Sequence, residues 1–142
     1  MEEHFLIPVD DSEPAIDALD HAVKNYPDAS ITALHVVDPS EFSSAASIEG
    51  AATYADMIES YEGKAEELLE EMSERAAERG VSIETDYVVG KVARSIVDYV
   101  DEHDIDHVVI GSHGRSGATR VLLGSVAESV TRRAQVPVTV IR

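Results

Sequence analysis

Short apolar runs alternate with amphipathic stretches along the whole chain. His4–Val9, Ser30–Val37, Ser82–Val89, His107–Ile110 and Val136–Ile141 read as strands, and the stretches between them read as helices. Strands separated by single helices join through right-handed crossovers. The order βαβαβαβαβ therefore predicts a parallel sheet with helices on both faces, an α/β fold. Phe5–Val9 and Val108–Ile110 are continuously apolar, as strands buried on both faces should be.

The helix signals agree. Asp11-Ser12-Glu13-Pro14 reads as a helix start with Ser12 as the cap, and Ile16, Leu19, Val23 and Tyr26 follow at helical spacing. A long helix is expected over residues 52–79, burying Met57, Tyr61, Ala65, Leu68, Met72 and Ala76 and stopped by Gly80. Val92–His103 and Ser125–Ala134 read as the last two helices, and residues 38–51 as a mobile polar loop. No linker or internal repeat divides the 142 residues, so residues 1–142 read as a single domain.

Composition narrows the function classes. With 44% hydrophobic residues the chain can build a real core. It has no cysteine, hence no disulfide, thiolate metal site or cysteine nucleophile. The acidic start Met1-Glu2-Glu3 is wrong for a signal peptide, and no apolar run is long enough to span a bilayer. The expectation is a cytoplasmic protein without a membrane partner. The net charge of -17 argues against nucleic acid as a partner and suits a cell with high internal salt, such as a halophile. The charge is uneven. Residues 111–142 carry five basic residues and one acid, so an anionic ligand is expected at that end of the chain.

That end also holds the glycines. Gly111-Ser112-His113-Gly114-Arg115-Ser116-Gly117 follows the fourth strand, and Gly124-Ser125 opens the last helix. Glycines let backbone N–H groups approach a phosphate closely, and a helix N-terminus adds unpaired N–H groups and the positive end of its dipole. Ser125-Val126-Ala127-Glu128 matches a capping box, so Ser125 either caps the helix or meets a phosphate; one does not exclude the other. No G-x-x-x-x-G-K-[ST] occurs, and no G-x-G-x-x-G follows the first strand, so neither a P-loop nor a dinucleotide fingerprint is present. The six histidines lack ligand spacing, so no protein-built metal site is expected.

The spacing Gly111-x2-Gly114-x9-Gly124-Ser125 is similar to the ATP-binding signature of the universal stress protein family. Phe5-Leu6-Ile7-Pro8-Val9-Asp10, Leu34-His35-Val36-Val37-Asp38, Val108-Val109-Ile110-Gly111, Leu123-Gly124-Ser125-Val126 and Val136-Pro137-Val138-Thr139-Val140-Ile141 resemble further landmarks of that family, so the likeness covers essentially the whole chain. The resemblance implies an open, doubly wound five-stranded sheet of order 3-2-1-4-5. Its ligand would lie at the carboxyl ends of the strands where the order reverses, between strands one and four.

The resemblance also implies roles. Asp10 would contact the nucleoside, or else cap the first helix. Pro8, Val9 and Val36 would line the adenine pocket, or else be ordinary core. Gly90 would stand at the crevice mouth or form a simple turn. Gly111, Ser112, His113, Gly114, Gly124, Ser125 and Val126 would form the phosphate loop. Arg115 would pair with a phosphate or stay solvated. ATP is the implied ligand, with Mg²⁺ held mainly by phosphates and water. The implied function is a regulatory, stress-response nucleotide-binding protein with at most slow hydrolysis. The alternatives are a hydrolase or phosphotransferase using His113, and a dimeric interaction module without nucleotide. In this order the last strand is an edge, so a homodimer is expected through Val136, Val138 and Val140.

Overall fold

The computed structural model describes residues 2–41, 53–112 and 123–142. His113, Gly114 and Arg115, and most of the 38–51 loop, lie outside the described residues. The elements are β1 (His4–Pro8), α1 (Glu13–Asn25), β2 (Ser30–Val37), α2 (Tyr54–Ala77), β3 (Glu84–Val89), α3 (Val92–Glu102), β4 (His107–Gly111), α4 (Ser125–Arg133) and β5 (Val138–Ile141). The strands form one five-stranded sheet in the order β3-β2-β1-β4-β5, and every neighbouring pair is parallel.

Alternate strand residues face two different cores, which explains the uninterrupted apolar runs. Phe5, Ile7, Val9, Ile31, Ala33 and Val109 meet α1 and α2 on one face. Leu6, Leu34, Val36, Val108 and Ile110 meet α3 and α4 on the other. A one-residue slip in β1 or β4 would still present an apolar side chain to each core. The register is held instead by specific polar pairs such as His4 Nε2 with Thr32 Oγ1 at 2.8 Å and His107 Nε2 with Thr139 Oγ1 at 2.7 Å.

Several boundaries differ from the sequence expectation. Helix α2 begins at Tyr54 because Thr53 and Asp56 form a reciprocal capping box. Its buried residues are Ala65, Leu69, Met72 and Ala76, whereas Leu68 is only partly buried. The observed spacing keeps to one helical stripe, and Leu68 lies about 100° around the helix from Leu69. Met57 and Tyr61 are half-buried rather than core. Gly80 ends the helix as expected, at φ +78°, and the Val81 N–H donates back to Ala76 O at 3.1 Å. Strand β5 starts at Val138 rather than Val136, although the pairing reaches back to Pro137, whose carbonyl accepts from Val108 N at 3.0 Å.

Candidate functional site

β1 has β2 on one side and β4 on the other, so the strand order reverses at the carboxyl ends of β1 and β4. Pro8 closes β1 half-buried, and Val9 turns inward to the core. Asp10 follows, partly buried. Its Oδ1 accepts from the Ser12 N–H at 2.9 Å and also from the Ser12 hydroxyl. Ser12 in turn caps α1, its Oγ accepting from Ala15 N at 3.4 Å. Asp10 therefore does not cap the helix itself; it orients the residue that does.

The end of β2 repeats this arrangement. Asp38 Oδ1 accepts from Ser40 N at 2.9 Å and from Ser40 Oγ at 2.7 Å. Partial burial works against the Asp38 carboxylate, but the Ser40 hydroxyl and N–H, with Lys91 nearby, hold it below the ordinary carboxylate range. Lys91 is the cap residue of α3, directly after Gly90. Two of the strands thus end in Asp-x-Ser turns, with a lysine at the end of a third.

On the β4 side the glycines have distinct reasons. A Cβ on Gly111 would lie 2.7 Å from both the carbonyl carbon and Cβ of Pro14, so β4 and the first turn of α1 meet only because this residue has no side chain. Ser112 is buried, and its N–H donates to Ile141 O at 2.7 Å. The Ser112 carbonyl accepts from Gly124 N at 2.6 Å. The chain that leaves β4 at Ser112 therefore returns to the same residue before entering α4, which fixes the N-terminus of α4 at the carboxyl end of β4. Gly90 N donates to Val37 O at 2.9 Å, and a Cβ there would lie 2.7 Å from Ser95 Oγ. Gly90 is thus a close-packed turn at the β2–β3 end of the same rim.

Helix α4 corrects one expectation. Its cap residue is Gly124, which makes no side-chain cap bond, and Ser125 is the exposed first helical residue. The capping box does not form; Glu128 pairs with Arg132 one turn on instead. The physical reason is the tight Gly124–Ser112 bond, which places the last non-helical residue one position before the serine. The first-turn N–H groups of α4 consequently receive no acceptor from the cap side chain, the condition in which a helix start attracts an anion. Val126 is half-buried against the α3/α4 core. Val36 is 8% exposed and belongs to that core too.

Sequence reasoning missed Lys91 and His35 here and read Ser12 only as a helix cap. Lys91 and Ser12 carry local signals, a cation after a strand-ending glycine and an Asp-x-Ser turn. His35 carries none. It stands among the scattered histidines in sequence, yet its Nδ1 lies 2.8 Å from Val9 O. Among the described residues, no group of three or more His, Asp or Glu side chains could hold a metal ion, and no helix is long and apolar enough to cross a membrane.

Comparison with known proteins agrees with this fold. The chain is 34% identical over 141 residues to universal stress protein MJ0531 of Methanocaldococcus jannaschii, covering 97% of this chain and 81% of that one. Its fold superposes on universal stress protein UspA from Lactobacillus plantarum with a TM-score of 0.83 at 28% identity, covering 99% and 97% of the two chains. Two ligand-bearing structures are also similar. One is a universal stress protein in complex with cAMP, with a TM-score of 0.74 at 25% identity over 99% and 97% of the chains. The other is the universal stress protein from Archaeoglobus fulgidus in complex with dAMP, with a TM-score of 0.68 at 25% identity over 100% and 98%. Residues 1–142 match the universal stress protein family from end to end, and the chain belongs to that family.

Proposed function

We propose that this protein binds an adenine nucleotide, ATP with Mg²⁺, in the crevice between the carboxyl ends of β1 and β4. One observation carries the reading: the Gly124 N–H bond to the Ser112 carbonyl, which sets the start of α4, without a side-chain cap, beside the end of β4. The phosphates would meet the N–H groups of the first turn of α4 and the loop that contains His113, Gly114 and Arg115. The Asp10 carboxylate, on the opposite lip, would accept bonds from ribose hydroxyls or the adenine amino group. Pro8, Val9 and Val36 would form the base side of the pocket. Adenine nucleotides in two similar proteins support the ligand class.

The protein would act as a regulatory, cytoplasmic stress-response homodimer rather than a fast enzyme. The sequence lacks the lysine of a P-loop, so charge stabilisation of a transferring phosphoryl group would rest on backbone donors and Mg²⁺. The dimer would form through β5, an edge strand of the sheet whose residues are all half-exposed.

The test is to purify the protein in high salt, denature it, identify any released nucleotide, and titrate ATP and AMP with Mg²⁺. The same titration is run on a Gly114→Val, Gly124→Val variant. Binding by the wild type and its loss in the folded variant is the expected result. A folded wild type that neither retains nor binds nucleotide would overturn the reading in favour of an interaction module.

A further inference from the structure

We propose that His35 is a positioning residue for the nucleotide, acting through the Val9–Asp10 peptide; this rests on the function proposed above. The Val9 N–H donates to Leu34 O at 2.8 Å, and the Val9 carbonyl lies 2.8 Å from His35 Nδ1. A carbonyl can only accept, so Nδ1 carries the proton and donates. Residue Val9 is thereby tied to β2 through both its N–H and its C=O. The preceding residue, Pro8, contributes no donor, since it has no N–H.

The consequence falls on Asp10. The Val9 carbonyl and the Asp10 amide belong to one rigid planar unit. Fixing the oxygen fixes the direction in which the chain enters Asp10. From the other side, Ser12 holds the Asp10 carboxylate with its N–H and hydroxyl. The Asp10 carboxylate is thus held from both ends, and the His35 bond is the part that comes from another strand. Without it the Val9 peptide can rotate, and the carboxylate loses its aim while the core below stays intact.

Side-chain chemistry supplies a discriminating test. The amide nitrogen of Asn stands the same number of bonds from Cβ as Nδ1 does, and that of Gln stands one bond further. His35→Asn should therefore keep the donor to Val9 O and bind ATP nearly as wild type. His35→Gln and His35→Leu should weaken binding by about tenfold, the effect of one lost hydrogen bond. In nitrogen-15 spectra of the imidazoles, wild-type His35 should show a protonated Nδ1. Equal affinity in all three variants, equal loss in all three, or a neutral His35 protonated only on Nε2 would overturn the role. Wild-type protein that binds no adenine nucleotide would instead overturn the proposed function, and a protonated Nδ1 in that protein would show that the His35–Val9 bond stands and that the failure lies with the function.

Discussion

Ser125→Glu separates the fold from the proposed function. Ser125 is exposed at the first position of α4, and Gly124 before it gives the helix no side-chain cap. A carboxylate in a first helical turn is favourable by about 0.3–1 kcal/mol through the helix dipole, so the variant should fold at least as stably as wild type. A bound phosphate would feel the opposite. Two like charges about 4 Å apart repel by roughly 4 kcal/mol at the effective dielectric of a protein surface. The exposure of residue 125 and a Debye length of about 8 Å at physiological salt reduce this to about 2–3 kcal/mol. The dissociation constant for ATP should then rise about 30- to 150-fold, while Ser125→Ala, which keeps the N–H groups and adds no charge, should change it by about tenfold or less. Isothermal titration calorimetry measures the affinity, and a thermal melt of the free protein measures the fold. A Glu variant with native melting and wild-type affinity would mean that the phosphates do not sit at the start of α4.

Three other perturbations test separate links. Gly111→Ala should cost about 1–3 kcal/mol, because the new Cβ would press on Pro14 backbone at 2.7 Å and backbone cannot turn aside; a lower urea midpoint at unchanged slope is expected, and an unchanged midpoint would refute the close-contact argument. His107 stacks on Phe5 at 4.8 Å, lies near Tyr26 and bonds Thr139, and burial pushes its pKa below the ordinary histidine value, with Glu3 opposing and His21 assisting. The folded state thus prefers the neutral ring, so its contribution to stability is complete above the unfolded value of about 6.5 and is lost as pH falls toward the lower folded value. His107→Gln, which keeps an amide group near the position of Nε2, should show a flatter decline in urea midpoint between about pH 7 and 5.5; equal slopes for the two proteins would contradict the assignment. Finally, Val108 N bonds Pro137 O and Ser112 N bonds Ile141 O, so the odd-numbered residues of β5 face β4 and the N–H groups of Val138 and Val140 face the open edge. Val140→Pro removes an outward donor without breaking the inner ladder, and light scattering should report half the mass of the dimer proposed for the wild type, with circular dichroism confirming the fold; a dimer mass kept by the variant would exclude the β5 interface.

Much of the architecture was legible because it rests on local pattern. The apolar runs located β1 and β4, whose residues are buried on both faces and leave little polar interruption, and the spacing of the remaining runs located β2, β3 and β5, although β3 is polar and largely exposed at its start. Ser12 and Gly80 marked helix ends correctly because capping depends on a few adjacent residues. Ser125 misled for the same reason. Its neighbours spell a capping box, but a bond from Gly124 to Ser112, far back in the sequence, set the helix start one residue earlier. Leu68 was misplaced because a stripe on a long helix drifts, and only the packed partner decides which of two adjacent leucines turns inward.

By itself, then, the sequence determined the alternation of strands and helices, the parallel sheet and the glycine pattern at the end of β4, because each depends on residue type over a few positions. The tertiary structure alone decided that Gly111 is glycine to admit Pro14, that His35 reaches the Val9 carbonyl, and that Asp38, Lys91 and Asp10 border one rim. These are contacts between segments far apart in the chain, and their geometry exists only once the crossovers have brought the strand ends together.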